Sequence, residues 1–121
     1  MSCKCNNVIN ATSYTAGAEL TINTNFSVTS LNNCDRFILV LPDSIPATTS
    51  ITTVNITITV NGSSTTIPIQ DIVGNNLMSD QVRFICKNQC GNRVVRIVYG
   101  SNPAHFKVLQ CLPNSMQGGT T

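Results

Sequence analysis

The sequence has few charged residues for a domain of its size. Only 10% of its 121 residues are Asp, Glu, Lys or Arg, against roughly 25% in typical soluble domains. Ser, Thr and Asn take the surface-type positions instead, in runs such as residues 61–66. Because few charges would lose their hydration on association, such a surface suits a protein that packs against copies of itself or a neighbouring subunit. We therefore expect a homo-oligomeric structural or binding protein.

Residues suited to catalysis are also scarce. His105 is the only histidine and Glu19 is the only glutamate, while the aspartates lie in turn-like polar segments. The chain contains no G-x-S-x-G elbow, no phosphate-binding glycine loop and no dinucleotide fingerprint. The sequence therefore predicts a protein that is not an enzyme, with no catalytic and no cofactor-binding residues.

Nucleic-acid and membrane partners are disfavoured as well. Trp is absent, only two tyrosines could stack on bases, and the net charge is only +2. The longest apolar run, residues 37–42, is much shorter than the roughly 20 residues of a membrane helix. The first residues have neither the basic nor the apolar region of a secretory signal. We expect no nucleic acid and no membrane span, and we expect a chain that is either made and used in the cytosol or already processed.

The sequence is instead rich in strand patterns. Residues 53–60 alternate apolar and polar side chains, which places Val54, Ile56, Ile58 and Val60 on one buried face. Residues 61–62 are Asn-Gly, the pair typical of a type I′ turn, so residues 66–69 should return as the second strand of a hairpin. Pro68 cannot donate a ladder hydrogen bond, which predicts a sheet edge or an interrupted ladder there.

Further strands are predicted at residues 19–23, 26–30, 36–41, 81–86, 93–99 and 105–112. No segment favours a helix of convincing length, although residues 71–80 could hold one turn. Short strands at this spacing predict an all-β fold, a small antiparallel β-sandwich or barrel with irregular terminal arms. We divide the chain into an N-terminal cysteine-containing arm (1–17), a β domain (18–112) and a flexible C-terminal tail (113–121).

The six cysteines allow several kinds of chemistry. Cys3 and Cys5 form a C-x-C pair, and Cys86 and Cys90 a C-x₃-C pair, so four thiolates could bind one structural zinc ion. Disulfides within or between subunits are an alternative, and free thiols are a third. Cys34 and Cys111 lie beside or within predicted strands and are interpreted as buried apolar residues.

Two stretches together resemble small virion proteins of tailed bacteriophages, of the capsid decoration or auxiliary type. They are FILVLPDSIP (37–46) leading to ITVNG (58–62), and RIVYGSNPAHF (96–106). The resemblance covers about residues 35–112. It implies a β-rich cementing subunit that binds the major capsid protein and other virion subunits, assembled in the host cytoplasm and located in the virion. The cysteine-rich N-terminus has no counterpart in this resemblance.

The alternative is a secreted or cell-surface β-sandwich module of the adhesin type, which would bind a glycan or a peptide through its loops. This alternative predicts a monomer with oxidised cysteines. The absence of Trp counts against a carbohydrate site, because such sites usually present aromatic platforms.

Overall fold

The computed structural model describes residues 7–45 and 52–110. This part of the chain consists of strands, with one short 3₁₀ helix (Ser79–Phe84) before the last two. The strands are β1 (Asn7–Ala16), β2 (Leu20–Val28), β3 (Arg36–Leu41), β4 (Val54–Val60), β5 (Ser63–Gln70), β6 (Arg93–Gly100) and β7 (His105–Val108). The prediction of an all-β fold is confirmed.

The seven strands close into a barrel in the order β1-β2-β4-β5-β7-β6-β3. Four neighbouring pairs are antiparallel, but β1 with β3, β2 with β4 and β5 with β7 are parallel. The predicted small barrel is thus present, with antiparallel pairing at four of its seven strand contacts and parallel pairing at the other three. Alternation along a strand reports which face is buried and carries no information about the direction of the neighbouring strand.

The predicted hairpin is confirmed as β4 and β5, with Val60 opposite Ser63. Asn61 has a φ of 50° and Gly62 a φ of 82°, as a type I′ turn requires. Pro68 lies opposite Asn55 in this ladder, and the ladder of β5 with β7 begins at the next residue, Ile69. Because the barrel is closed, β5 has a neighbouring strand on both sides and is not an edge strand. The ladder between β5 and β7 is short, since it contains only Ile69 and Gln70 of β5.

Two local predictions are wrong. Residues 7–16, assigned to an irregular arm, form β1, which pairs with β2 and β3. Residues 81–86, predicted as a strand, lie mostly in the 3₁₀ helix. The side chain of Gln81 holds the start of that helix by accepting a hydrogen bond from the Met78 N–H at 2.9 Å. The proposed tail, residues 113–121, lies outside the described residues.

Inward-facing side chains of all seven strands fill the barrel. The largest are Phe37 and Phe106, both fully buried, whose rings meet edge to face at 5.6 Å. Phe26 packs on Phe37 and Tyr99 packs on Phe106 in the same geometry. Aromatic pairs of this kind add stabilisation beyond the area they bury. The core therefore has an aromatic centre surrounded by aliphatic residues.

Candidate functional site

The titratable residues considered for catalysis lie apart from one another. His105 donates from Nδ1 to the Pro103 carbonyl at 2.7 Å, because a carbonyl oxygen can only accept. Glu19 accepts hydrogen bonds from Asn55 Nδ2 at 2.7 Å and Thr53 Oγ1 at 3.3 Å. Within residues 7–45 and 52–110, no three His, Cys, Asp or Glu side chains come close enough to hold a metal ion. His105 and Glu19 thus have structural partners rather than each other.

Cys86 and Cys90 are exposed free thiols on one turn. Asn88 shapes this turn, since its Oδ1 accepts from the N–H groups of Cys90 at 2.9 Å and Asn92 at 3.0 Å. The other two predicted zinc ligands, Cys3 and Cys5, lie outside the described residues. Zinc binding by these four cysteines stays a prediction.

Cys34 differs from its interpretation as a buried apolar residue. Its side chain is exposed and disulfide-bonded. Cys86 and Cys90 are free, so neither of them is the partner of Cys34. Cys34 has a φ of 73° in the loop before β3, and its N–H donates to the Tyr99 carbonyl. Cys34 thus lies in a turn two residues before β3 begins, and its side chain is outside the core. Cys111 lies outside the described residues.

The outer surface of the second half of β1 and of β2, β4 and β5 is mainly polar, and the Glu19 carboxylate accepts a hydrogen bond from its Asn55. We call it the β2–β4 face, and it includes the register rows Ser13–Asn23–Thr57–Thr66 and Thr15–Thr21–Asn55–Pro68. Asn23 Nδ2 donates to Ser13 and Thr15 at 3.2 Å, and Thr57 donates to Asn23 Oδ1 at 3.5 Å. These side chains therefore hydrogen-bond one another across neighbouring strands.

The outer surface formed by the first half of β1 together with β3, β6 and β7 has a different character. We call it the β3–β6 face, and it consists of three register rows across β1, β3, β6 and β7. The rows are Arg36–Val98–Lys107, Val8–Ile38–Arg96 and Asn10–Val40–Val94. Val8 is 47% exposed, and the other aliphatic side chains of the face are half-buried. Five aliphatic and three cationic side chains therefore share one outer surface.

The three cations of the β3–β6 face have no acidic neighbours on it. None of the strands β1, β3, β6 and β7 contains Asp or Glu. The one ion pair found among the described residues joins Lys87 Nζ to Asp43 Oδ1 at 2.9 Å, and neither residue belongs to these four strands. The hydrogen bond and charge of Lys87 lower the pKa of Asp43 below its ordinary value. The β3–β6 face is thus apolar and positively charged.

An apolar loop borders this face on the β7 side. Gln70 lies opposite Lys107, and the loop that follows Gln70 presents Ile72 and Val73, which are 40% and 74% exposed. Asp71 Oδ1 holds the loop by accepting from the Val73 N–H at 3.0 Å. The loop therefore adds exposed apolar surface next to the cation of Lys107.

The sequence contains a signal for the β3–β6 face. A strand covered on both sides reads as a continuous apolar run rather than an alternating one. Residues 37–41 form such a run in β3, and residues 94–95 and 97–99 do so around Arg96 in β6. The run of residues 37–42 is too short for a membrane helix, and its length is that of a strand. The three cations come from different strands, so their convergence depends on the fold.

The structure and the comparisons add two negative findings. In the described part of the chain, no helix has the length and apolar character needed to cross a membrane. No protein-family model, no curated protein and no solved structure matches the chain.

Proposed function

We propose that the protein is a non-enzymatic structural subunit of a virion, a bacteriophage capsid decoration or auxiliary protein that binds the major capsid protein. The observation that carries this proposal is the β3–β6 face, an outer surface of aliphatic and cationic side chains. The other outer surface of the barrel is mainly polar, and its side chains hydrogen-bond one another. Aliphatic side chains grouped on an outer strand surface, where the core does not need them, are typical of a strand that is covered on both faces. The resemblance of residues 37–46, 58–62 and 96–106 to small virion proteins supplies the kind of partner.

The dimensions of the β3–β6 face fit the centre of an interface. Four neighbouring strands about 4.8 Å apart and three rows about 7 Å apart give roughly 200 Å². A standard protein interface covers about 800 Å² on each partner. The face would therefore form the apolar core of a contact, and surrounding loops such as that of Ile72 and Val73 would form its rim.

The experiment compares two variants that place the same charge on opposite faces. Val8→Asp introduces a carboxylate into the β3–β6 face, and Thr66→Asp introduces one into the β2–β4 face, where Thr66 is also exposed. Particles are purified on a density gradient from cultures that produce each variant from the native gene. Mass spectrometry then measures the copies of this chain per copy of the major capsid protein.

We expect the unaltered chain and Thr66→Asp to remain with the particles and Val8→Asp to be depleted by at least tenfold. Absence of the unaltered chain from purified particles would reject the virion proposal. Equal retention of both variants would reject the β3–β6 face as the contact. Circular dichroism of the purified variants checks that each retains the β fold.

A second function is favoured by one observation, the disulfide of Cys34. Disulfides persist in oxidising compartments, as expected for a secreted or cell-surface binding module. The free thiols of Cys86 and Cys90 are less typical of that class. Native mass spectrometry of the unreduced protein separates the two functions. A metal-free monomer with all six cysteines oxidised supports the secreted module, and a multimer with free or zinc-bound thiols supports the virion subunit.

A further inference from the structure

We propose that the partner of the β3–β6 face presents an acidic protein surface, with carboxylates opposite Arg36, Arg96 and Lys107 and apolar side chains between them. This inference rests on the proposed function as a protein-binding subunit and adds the chemistry of the partner.

The positions of the cations carry the inference. Arg36 and Lys107 lie on either side of Val98 in one row, and Arg96 lies beside Ile38 in the next. None of the three forms an ion pair with a residue of 7–45 or 52–110. Arg and Lys can lay their aliphatic stems along apolar surface while their charged groups remain available at its edge. Arg also binds carboxylates through paired hydrogen bonds.

A partner that covered the aliphatic side chains would also approach the cations at the edge of the face and remove part of their hydration. An uncompensated buried charge costs far more than a paired one, so the partner must supply negative groups at the same positions. A neutral or basic surface of the same shape would leave the cations without compensation. Charge complementarity therefore selects an acidic protein surface.

The same argument disfavours a second copy of the chain at this face. A two-fold symmetric contact places the same patch on both sides of the interface. The three cations would then face three cations, with no acidic residue in β1, β3, β6 or β7 to offset them. Oligomers of this chain would have to use another surface.

Nucleic acid also fits the face poorly. Phosphates would satisfy the cations, but the side chains beside the cations are aliphatic, Val98 in one row and Ile38 in the next. Base recognition on a sheet uses aromatic side chains, and the rows of this face contain none. An acidic protein surface satisfies both the charges and the aliphatic side chains.

The test uses synthetic peptides as probes of known chemistry. One peptide alternates leucine and glutamate, a second alternates leucine and glutamine, and a third alternates leucine and lysine. A short DNA duplex and vesicles of anionic lipid are the remaining probes. Each is titrated into the isotopically labelled full chain, and backbone NMR shifts locate the contact while their concentration dependence gives the affinity.

We expect the leucine–glutamate peptide to shift residues of the β3–β6 face and to bind at least tenfold more tightly than the other two peptides. Replacing Arg36, Arg96 or Lys107 singly by Gln should weaken its binding up to about fivefold each. The triple variant should lose about tenfold or more. Lys87→Gln is the matched control, because it removes the same charge from a lysine already paired with Asp43. Raising the salt concentration should weaken binding in the same direction.

Three results would overturn the inference. The first is equal affinity for the glutamate and glutamine peptides, or shifts located on the β2–β4 face. The second is tighter binding of the DNA duplex or the anionic vesicles than of the glutamate peptide. The third is that the triple variant loses solubility but not its preference for glutamate, because the cations would then serve only to prevent aggregation. None of these results affects the particle experiment, so the proposed function can stand or fail separately.

Discussion

Gly100→Ala should destabilise the protein, but the same substitution should stabilise it slightly when His105 is also replaced by Ala. Gly100 is the last residue of β6 and lies opposite His105 in β7. A Cβ atom at Gly100 would lie 2.5 Å from His105 Cε1 and 2.7 Å from His105 Nε2. Carbon atoms cannot approach this closely, so the imidazole must move. The backbone of Gly100 is outside the left-handed region, so alanine itself fits the local conformation.

The size of the effect follows from what the imidazole would lose. Its Nδ1 donates to the Pro103 carbonyl at 2.7 Å, and a hydrogen bond of this kind contributes about 1 kcal/mol. Crowding of a packed site adds about 1–3 kcal/mol. Alanine in a compatible backbone returns about 0.4–1 kcal/mol by restricting the unfolded chain. Gly100→Ala should therefore lower the free energy of unfolding by about 1–3 kcal/mol.

In the His105→Ala protein the obstacle is absent, and only the unfolded-state term remains. There Gly100→Ala should raise the free energy of unfolding by about 0.4–1 kcal/mol. Urea denaturation of the four proteins of this double-mutant cycle measures both values. If Gly100→Ala destabilised both backgrounds equally, the backbone rather than the imidazole would impose the glycine, and the reasoning would be wrong.

Three further predictions concern the hairpin, the core and the ion pair. Gly62→Ala should lower the free energy of unfolding by about 1–2 kcal/mol, because Gly62 has a φ of 82°; an unchanged urea midpoint would contradict the type I′ turn. A double-mutant cycle of Phe37→Leu and Phe106→Leu should give a coupling of about 0.5–1.5 kcal/mol from their edge-to-face contact, and additive effects would contradict it. NMR titration should find the pKa of Asp43 below its ordinary value and raised by Lys87→Gln. Since the folded-state pKa is lowered, the pair stabilises the fold above the unfolded-state pKa, and this contribution is lost as pH falls through the folded-state pKa.

The β4–β5 hairpin could be predicted because its information is local. Residues 54–60 alternate strictly, and Asn61 and Gly62 specify the turn that joins them to the return strand. The parallel pairings of the barrel could not be predicted in this way. They join strands that are distant in sequence, and the same alternation is compatible with either direction of the neighbouring strand.

The segment that forms the 3₁₀ helix contains two competing periodicities, one of two residues and one of three. Val82 and Phe84 alternate with the polar residues Gln81 and Arg83, a pattern that favours a strand. The buried apolar residues of this segment are Val82 and Ile85, which are three residues apart. Side chains with that spacing lie on one side of a 3₁₀ helix. The strand β1 was missed for a different reason, since its buried apolar residues are only Ile9 and Ala11 before the bulge.

The outward residues of β3 and β4 provide a comparison within one molecule. Both strands belong to the same closed barrel, and both place large aliphatic or aromatic side chains in the core. In β4 the outward residues following Val54 are polar, as in Thr57, which is what folding in water requires of a solvated face. In β3 the outward residues are Ile38 and Val40, which the core does not need because Phe37, Leu39 and Leu41 already fill it. Apolar side chains that the fold does not require fit the proposed contact with a second protein surface, and the adjacent cations favour an acidic surface for that contact.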